Sequence, residues 1–550
     1  MADDSEATLS TLKSKHPQRL APTLPPQPCP EPLVFTPEQV EASTRSFFTD
    51  TAGGPSGLKA NHLKNCLSSP NTNKRQRFLL SLTRFINLLN NAKTPEDFRP
   101  FLFSANCHPT LKKDGGIRPV GVAEVVCRLT SKCNVQALSP VLADVFLPTQ
   151  LGVKVQGGCE AALHAVTQIA HSPLPFNQKA ILMVDWKNAF NEVDRTRMLA
   201  ETMERLPALS SWAEASHGSP AHRYYRGRRF LCSTGTTQGD PVAGTLFGLS
   251  ILPTQERISR EVTSLLANIW YHDDGTAAGS LQDLAKVVKI LEEDAPLLGL
   301  TLNKHKCSVW VGDHDPDNPD PLGCGIPRAD NAGFLLLGSP IGTPEYMASK
   351  LNDRIDKIED TVLNKIPLLE NPQLQLCLTR STHSMVKFVH TIRTCNSDSI
   401  IASLDRFDHI QRCALENIVG SALDPQAHMQ ATLPVSKGGL GLRKTTLHSY
   451  GAYLSSTIQS KETVDKILSN FPHRRNPTVL LNKFITASGP LPQSSVDDLL
   501  TLEPSHFTQA KLSQLVDSRL HNCLLAQFEA NADKQAFHST FKVFVYGPCK

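Results

Sequence analysis

Two apolar runs in this sequence end in aspartate, and that pattern narrows the folds that the chain can adopt. Residues 180–184 are followed by Asp185, and residues 269–271 lead within two positions to the adjacent pair Asp273 and Asp274. Such runs fit buried strands, but adjacent carboxylates repel one another unless a cation lies between them. The pattern predicts one sheet whose strand ends bring carboxylates together around a divalent metal ion. For Asp185 taken alone, a helix cap is an equally good interpretation.

The composition limits the class of protein. The chain has 550 residues, of which 40% are hydrophobic. This length is too great for a single hydrophobic core, so two to four domains or subdomains are expected. With 56 Lys and Arg against 52 Asp and Glu, the net charge is +4, so any nucleic acid is expected in a local groove. Fourteen cysteines without C-x-x-C pairs predict reduced thiols in an intracellular protein, nuclear or cytoplasmic. Neither a signal peptide nor a membrane-spanning run is visible in the sequence, so no membrane partner is expected.

The N-terminal region is expected to begin with a disordered segment. Proline is dense in APTLPPQPCPEP, which excludes a regular helix or central strand there. Thr36 and Pro37 fit the N-cap and first position of a helix, so order is expected from that point.

A basic hairpin is predicted around the sequence LKKDGGIRP. Residues 114–116 supply the positive φ angles of a tight turn, and Lys112, Lys113 and Arg118 flank it. An ordinary exposed hairpin and a phosphate-gripping fingertip both fit this pattern.

Nine segments of the chain occur in an order typical of one enzyme family. They lie between about Gly53 and Tyr453 and read GGPSGLKANHLK, LKKDGGIRPVGVAEVVCRLTSK, QLGVKVQGGCEAALHAV, MVDWKNAFNEVDR, STGTTQGDPVAGTLFGLS, YHDDG, GLTLNKHKC, FLLLGSPIG and LPVSKGGLGLR. In these segments the chain resembles a reverse transcriptase of the non-LTR retrotransposon type. The resemblance implies an α+β fold, the right-hand polymerase with fingers, palm and thumb, followed here by a helical C-terminal extension.

Composition and resemblance together predict five regions. They are 1–35, a disordered Pro-rich lead-in; 36–180, N-terminal helices and fingers; 181–345, the palm with the catalytic motifs; 346–450, a thumb-like helical region; and 451–550, a helical extension of unassigned role. The reverse transcriptase domain itself is expected over about 105–345.

The resemblance also implies a metal site. Asp185 matches the first palm aspartate of the family, and Asp273 and Asp274 match its Tyr-x-Asp-Asp motif, so the three are expected to bind two Mg²⁺ ions, with Mn²⁺ as a substitute. Lys306 matches the lysine near the pyrophosphate leaving group and is expected to assist catalysis. His272 departs from the family pattern at the variable position of that motif. It could bind a phosphate or simply be tolerated at this position, and we favour the second interpretation.

Further residues are implied to bind the nucleotide. Phe190 matches the aromatic residue that crowds the sugar 2′ carbon and rejects ribonucleotides, although a core phenylalanine is the alternative. Gln238 and Gly239 match the Gln-Gly that contacts the incoming nucleotide and the template.

Two more assignments follow from the same resemblance. Arg118, with Lys112 or Lys113, matches the basic fingertip over the triphosphate. Leu337 and Gly338 lie in a segment that resembles the primer grip.

The function implied is addition of dNTPs to a primer 3′-OH. The expected partners are an RNA template, a DNA or RNA primer and dNTPs, with template affinity that falls with salt. The sequence shows no endonuclease signature, so target cutting is expected in trans, unless the chain is a fragment. The oligomeric state is left open. The alternatives are a domesticated nucleic-acid-binding relic without activity and an RNA-dependent RNA polymerase, which Phe190 disfavours.

Overall fold

The computed structural model describes residues 5–23, 31–112, 115–469, 471–473, 477–489, 503 and 506–527. The chain forms two compact units that interleave along the sequence. The first comprises Met1–Val155, Leu182–Val309 and Asp320–Pro327, and the second comprises Gln156–Ile181, Trp310–Pro319 and Arg328–Lys550.

Helices dominate the described residues. In chain order they are α1 (Glu6–Ser14), α2 (Pro37–Arg45), α3 (Ala60–Leu67), α4 (Thr72–Asn90), α5 (Arg99–Leu102), α6 (Val125–Ala137), α7 (Ser139–Phe146), α8 (Gly158–Ala170), α9 (Ala189–Glu192), α10 (Arg195–Arg205), α11 (Ser210–His217), α12 (Ala243–Glu261), α13 (Leu281–Leu298), α14 (Pro344–Glu359), α15 (Pro372–Thr382), α16 (Val389–Thr394), α17 (Ser397–Val419), α18 (Pro425–Thr432), α19 (Thr445–Ile467), α20 (Pro477–Ser488) and α21 (Gln509–Gln527). Among the described residues, no helix combines the length and the apolar character needed to cross a bilayer.

The strands among the described residues form three small sheets. They are β1 (Ala105–Leu111), β2 (Ile117–Ala123), β3 (Ala180–Val184), β4 (Ala221–Tyr225), β5 (Arg228–Cys232), β6 (Ala267–Tyr271), β7 (Asp274–Gly279), β8 (Ser308–Trp310), β9 (Gly333–Leu336) and β10 (Ser339–Gly342). One sheet has the order β2-β1-β4-β5, a second has the order β6-β7-β3-β8, and β9 pairs with β10. Strand β1 pairs antiparallel with β2 and parallel with β4. The mixture of helices with antiparallel and mixed sheets is the α+β class that the sequence predicted.

The core of the first unit is built around helices α2, α4, α6, α11 and α12. Trp212 of α11 is almost fully buried, packs edge-on against Phe103 at 5.5 Å between ring centroids, and donates its indole N–H to Ser131 Oγ at 3.0 Å. Because the indole nitrogen finds an acceptor inside the core, the large ring is buried without a polar penalty.

The N-terminal segment is not disordered throughout, and the predicted lead-in over 1–35 is wrong for residues 6–14, which form helix α1. Ser5 caps the helix by accepting the N–H of Thr8 at 3.1 Å. Leu9 and Leu12, three residues apart, lie on one face of the helix and are buried with side chains of the first sheet. The prolines responsible for the wrong prediction begin only at Pro17, so they do not affect the helix.

Helix α1 packs on the β2-β1-β4-β5 sheet inside the first unit. Its two leucines contact a cluster formed by Cys107, Tyr225, Ile117 and Phe230. The helix therefore covers apolar surface on the sheet.

His16 lies directly after α1 and is buried, with 6% of its surface exposed. Its Nδ1–H donates to the carbonyl oxygen of Leu12 at 2.8 Å. Burial lowers the pKa of His16 to about 4, and the positive charges of Arg223, Arg195 and Lys15 add to the effect. The packed side chain is consequently the neutral imidazole.

Helices predominate in the described residues of the second unit, which also include the β9–β10 hairpin and the ends of β3 and β8. Helix α19 runs through position 450, so the predicted boundary between 346–450 and 451–550 falls inside one helix and is not a domain border. The helix packs against α8, α16, α17, α20 and α21. Its contacts on both sides of position 450 make the two regions one packing unit.

Asp408 of α17 caps helix α19 from outside. Its Oδ1 accepts the N–H and hydroxyl of Thr445 at 2.7 and 2.6 Å, and its Oδ2 accepts the N–H and hydroxyl of Thr446 at 3.1 and 2.7 Å. Only 6% of Asp408 is exposed. The carboxylate therefore satisfies first-turn N–H groups of α19 that have no partner within the helix.

Replacing Asp408 with alanine is expected to destabilise the second unit. The Asp408→Ala variant leaves these buried donors without an acceptor, which lowers the free energy of unfolding by about 2–4 kcal/mol. Urea unfolding followed by circular dichroism measures the change. Asp405→Ala, at an exposed position of the same helix, is the control and is expected to unfold at the wild-type urea concentration. A wild-type midpoint for Asp408→Ala would contradict the capping role.

Mild acid is expected to release helix α1 from the sheet. Because the pKa of His16 is lower in the folded protein than in the released segment, docking is fully stable above about pH 6.5 and weakens as the pH falls toward 4, by up to about 3 kcal/mol. Hydrogen exchange of residues 6–14 at pH 5 and pH 7, corrected for intrinsic rates, measures this. His16→Leu is expected to remove most of the pH dependence, and equal protection of the wild-type helix at both pH values would exclude the mechanism.

Candidate active site

The adjacent aspartates lie at the tight turn that joins β6 to β7. Tyr271 pairs with Asp274, which leaves His272 and Asp273 as a two-residue turn. His272 has φ 56°, a left-handed angle that is uncommon outside glycine. The side chain of Gln150 holds the turn, since its Oε1 accepts the His272 N–H at 2.7 Å and its Nε2 donates to the His272 carbonyl at 3.1 Å. Gln150 is fully buried, so the position of the turn is fixed from inside.

The ring of His272 fills a slot between two glycines. A Cβ at Gly152 would lie 2.6 Å from the His272 backbone nitrogen and 3.0 Å from its ring Cδ2, and one at Gly244 would lie 2.9 Å from its Cε1. The ring meets Phe190 edge-on at 6.1 Å. Burial lowers the pKa of His272, so a neutral ring occupies the slot at pH 7. A neutral packed imidazole favours the interpretation that this histidine is tolerated, rather than one in which it binds phosphate.

Asp185 follows strand β3 and is held by residues far along the chain. Its carbonyl oxygen accepts the N–H of Asn303 at 2.9 Å, and its Oδ2 accepts the Asn303 side-chain amide at 2.7 Å. Its own N–H donates to Cys307 Sγ at 3.3 Å. Asn303 thus orients the carboxylate, a role that the sequence analysis did not assign, although the residue lies in the quoted segment GLTLNKHKC.

The three carboxylates are close enough to perturb one another. Desolvation raises the pKa of Asp273, and the charge of Asp185 raises it further. Desolvation and the charges of Asp273 and Asp185 raise the pKa of Asp274 to about 6. Arg118 opposes both shifts, and Lys112 opposes the shift at Asp273. The structure therefore gathers negative charge at the end of β3 and the β6–β7 turn with incomplete compensation.

This donor set fits a hard divalent cation. All three side chains offer carboxylate oxygens, which are the ligands that Mg²⁺ prefers. Throughout the described ranges, no three His, Cys, Asp or Glu side chains already form a closed metal cage. Mg²⁺ commonly keeps several waters and is completed by substrate phosphates, so an open arrangement is compatible with it.

A cleft of about 520 Å³ opens beside these carboxylates. Its lining includes five residues that the sequence analysis selected: Arg118, Phe190, Gln238, Gly239 and Asp273. The five come from strand β2, helix α9, the loop before α12 and the β6–β7 turn. Their convergence on one space is a property of the fold, because up to 155 residues (273 − 118) separate them in sequence.

Phe190 presents a rigid ring to the cleft. It stacks on Phe247 with 4.5 Å between ring centroids and 19° between planes. Its carbonyl oxygen accepts the N–H of Thr236 at 2.7 Å, which ties helix α9 to the loop that carries Gln238. The stacked partner and the tied backbone limit movement of the ring.

The Gln238-Gly239 pair lies against strand β2. The carbonyl of Gln238 accepts the N–H of Gly121 at 3.0 Å. Gly239 has φ 108°, and a Cβ there would lie 2.9 Å from the Gly121 oxygen, so only glycine fits. Among the described residues, the side-chain oxygen of Gln238 is buried without a hydrogen-bond partner. A buried acceptor of this kind at a cleft is available to a ligand.

Strands β1 and β2 form the predicted basic hairpin, and its role as a phosphate-binding fingertip stays a prediction. Lys112 donates its N–H to Gly116 O at 2.7 Å, and Gly115 has φ 78°. Arg118 of β2 pairs with Thr110 of β1, and its side chain lines the cleft.

Lys113, the other candidate lysine of this hairpin, lies outside the described residues. Its assignment remains a prediction.

Lys306 lies close in sequence to Asn303, the residue that orients Asp185, whereas the predicted primer-grip residues lie in the second unit. Lys306 is exposed, with its N–H bonded to Asn303 O at 2.8 Å, next to the residue that orients Asp185. Leu337 and Gly338, with φ 44° and 81°, form the β9–β10 turn in the second unit. Their roles stay predictions.

The turn of the predicted primer grip is supported within the second unit. The Leu337 carbonyl is 3.1 Å from the His390 ring nitrogen, and Arg354 donates to the Gly338 carbonyl. Both turn carbonyls are therefore fixed by helices α16 and α14.

Comparison with known proteins agrees with this geometry. Residues 110–338 match the family described as reverse transcriptase (RNA-dependent DNA polymerase). The chain is 26% identical over 350 residues to the retrotransposable element SLACS 132 kDa protein of Trypanosoma brucei gambiense, an alignment that covers 60% of this chain and 28% of that protein. The chain thus matches less than a third of the length of that relative.

A solved structure of apo telomerase from Candida tropicalis, truncated from the C-terminal domain, is also similar. It shares 12% identity with a TM-score of 0.33, over 44% of this chain and 54% of that one. The family match identifies residues 110–338 as a reverse transcriptase domain, within a chain whose fold is of the α+β class.

Proposed function

We propose that this protein is an RNA-directed DNA polymerase derived from a non-LTR retrotransposon, which adds dNTPs to a primer 3′-OH. The observation that carries the proposal is the cleft in which Arg118, Phe190, Gln238 and Gly239 face the same space as Asp273. A basic group, an aromatic ring, an amide and a carboxylate are the groups needed to bind the triphosphate, the sugar, the base pair and the reacting ends of a primed template.

The three carboxylates at and beside the cleft would hold two Mg²⁺ ions, for which Mn²⁺ would substitute. Asp185, Asp273 and Asp274 are the proposed ligands, and bound metal supplies charge neutralisation at the attacking and leaving oxygens of phosphoryl transfer. Asn303 keeps Asp185 oriented through its amide. Gln150 keeps the β6–β7 turn in place. These contacts hold the ligand oxygens in position before the substrate arrives.

The basic wall of the cleft would bind the triphosphate. Arg118 and Lys112 already act electrostatically on Asp273, so an anion bound between them would lie next to that carboxylate. Lys306 would stabilise the pyrophosphate as it leaves. The buried oxygen of Gln238 would accept a hydrogen bond from the incoming nucleotide or the template base.

Phe190 would exclude ribonucleotides. A ring that is stacked on Phe247 and tied through its backbone has little freedom to move away from a 2′-hydroxyl. An added hydroxyl that meets a fixed ring costs steric energy and loses its hydrogen bonds to water. The geometry therefore favours dNTPs over NTPs and supports DNA synthesis over RNA synthesis.

The protein is expected to extend oligo(dT) on poly(rA) with dTTP, only when Mg²⁺ is present and not with UTP. Asp273→Asn is expected to reduce the rate by at least about 10³-fold, because it removes a charge from the proposed metal site. Asp405→Asn, at an exposed position of α17, is the matched control and is expected to keep the wild-type rate.

Three results of this experiment would contradict the proposal. Extension with UTP in place of dTTP would identify an RNA polymerase. Folded protein that binds the primed template but does not extend it would favour a nucleic-acid-binding relic. Full activity of Asp273→Asn would remove the metal site from the proposal.

Shortening Phe190 is expected to relax sugar selectivity. Phe190→Val opens the space beside the 2′ carbon and is expected to raise the kcat/KM ratio of UTP to dTTP by about 10–100-fold. Phe190→Tyr keeps the ring and is expected to retain discrimination, so it controls for general damage. An unchanged ratio in an active Phe190→Val enzyme would place sugar selection in another residue.

A further inference from the structure

A cavity of about 750 Å³ lies within the second unit. Its lining comes from five segments of the chain, 170–179, 310–313, 330–332, 342–347 and 396–399. None of the lining residues belongs to the lining of the candidate active-site cleft. Pockets of this size take up drug-sized ligands or the side chains of a docked peptide. The cavity is therefore a second candidate binding site in the chain.

Two aromatic rings form a corner of this cavity. Phe176 and Trp310 meet almost at a right angle, 89°, with 5.6 Å between ring centroids. The indole N–H of Trp310 donates to the Asn331 carbonyl oxygen at 3.1 Å. Phe176 lies against Gly312, where an added Cβ would overlap the ring. Both rings are consequently held in place, and they offer a preformed apolar surface to a ligand.

Aliphatic side chains extend the apolar surface away from the corner. They belong to Ala170, Ala332, Pro344 and Met347. Met347 of helix α14 is 3% exposed and belongs to the hydrophobic core of the second unit. A flexible thioether adapts to apolar groups of different shapes. The cavity therefore suits a bulky aromatic or branched apolar group.

Exposed carboxylates lie at the rim of the cavity. Asp313 and Asp330 are both exposed and belong to its lining. Within the described ranges, neither side chain forms an ion pair. The Asp330 carboxylate accepts the N–H of Ala332 at 2.9 Å, which fixes it beside the cavity. Asp315 and Asp317, exposed and close to Asp313 in sequence, add negative charge, so the rim attracts cations.

Arg328 holds the acidic segment in shape. Its guanidinium donates to the carbonyl oxygens of His314 at 2.9 Å and Asp315 at 2.8 Å. It also donates to the side-chain oxygen of Asn331 at 2.7 Å. These bonds go to neutral oxygens of the segment, and they order it before a ligand arrives. Prior order lowers the entropic cost of binding.

The basic residues of the lining make internal hydrogen bonds. Lys179 is 5% exposed, donates its ammonium to the Ser172 carbonyl oxygen at 2.6 Å and lies 4.7 Å from the centroid of the Phe176 ring. His171 Nε2 is bonded to the Gly342 carbonyl oxygen at 2.9 Å. These cationic or protonatable groups face protein oxygens, whereas the carboxylates at the rim are available to an incoming cation.

Apolar surface and negative charge together distinguish between classes of macromolecule. RNA and DNA carry a phosphate on every nucleotide, so exposed carboxylates at the rim oppose their binding. A basic peptide satisfies both parts of the site. Its bulky apolar side chain fills the aromatic corner, and a neighbouring Lys or Arg pairs with a carboxylate at the rim.

We infer that this cavity is a docking site for a basic segment of a partner protein. The segment places an aromatic or branched apolar side chain against Phe176 and Trp310, and it sets Lys or Arg side chains against Asp313 and Asp330. This inference goes beyond the proposed polymerase activity and does not depend on it. It assigns a protein-binding role to the second unit.

Three tripeptide amides serve as probes: acetyl-Arg-Phe-Arg, acetyl-Glu-Phe-Glu and acetyl-Arg-Gly-Arg. Binding to the full chain is followed by the NMR signal of the Met347 methyl group in protein labelled with ¹³C-methyl methionine, and Met347→Leu assigns that signal. The Arg-Phe-Arg probe is expected to shift the signal with a Kd of about 1 mM or below, and the other two are expected to bind at least about fivefold more weakly.

Variants test the charged and apolar parts of the site separately. Asp313→Asn combined with Asp330→Asn keeps the size of both side chains and is expected to weaken binding of Arg-Phe-Arg by about fivefold or more. Asp353→Asn, at an exposed position of α14, is the matched control and is expected to bind like the wild type. Phe176→Ala is expected to abolish the preference for Phe over Gly in the probe.

Three outcomes would overturn the inference. The first is an unchanged Met347 signal in folded protein with about 5 mM Arg-Phe-Arg. The second is equal affinity for Glu-Phe-Glu, which would remove the role of the carboxylates. The third is a Met347 shift caused by octauridylate at lower concentration than by any tripeptide, which would identify nucleic acid as the occupant. Primer extension is not a readout of this test, so failure of the polymerase proposal leaves its result intact.

Discussion

Repulsion among Asp185, Asp273 and Asp274 is the constraint on which the rest of the site depends. Placing three carboxylates together at a sheet end is costly, since desolvation, and after it the neighbouring negative charges, raises the pKa values of Asp273 and Asp274. Hydrogen bonds from residues distant in sequence hold Asp185 and the β6–β7 turn in place. Asn303 binds the backbone and side chain of Asp185, and Gln150 binds both backbone groups of the turn residue before Asp273. Each contact joins positions more than 100 residues apart, so the charge is concentrated by the tertiary fold.

The acidic residues could be predicted from sequence because strand and carboxylate are adjacent along the chain. The apolar runs at 180–184 and 269–271 lie in strands β3 and β6, as their composition indicated. The residues that hold the aspartates could not be predicted in this way. Asn303 and Gln150 are polar residues in ordinary surroundings, and their function appears only when distant segments meet. The stacking of Phe190 on Phe247 is likewise a tertiary contact with no local pattern in the sequence.

The N-terminal helix shows how composition misleads when it is averaged over a long segment. The prolines of residues 17–32 made the whole of 1–35 look unstructured, yet residues 6–14 contain no proline and carry Leu9 and Leu12 at helical spacing. A nine-residue helix is marginal alone and gains its stability from the sheet that it covers. Sequence periodicity over so short a stretch cannot reveal that sheet. The boundary predicted at 450 failed for a related reason, because α19 packs with helices from both sides of it.

Under the proposed function, one substrate complex would neutralise both the carboxylates and the basic groups beside them. Desolvation and the charge of Asp185 raise the pKa of Asp273, and Arg118 and Lys112 offset this rise only in part. A nucleoside triphosphate with divalent metal would bring cations to the carboxylates and phosphates to Arg118 and Lys112. Metal and nucleotide would therefore bind cooperatively, because each supplies charge that the site lacks when the other is absent.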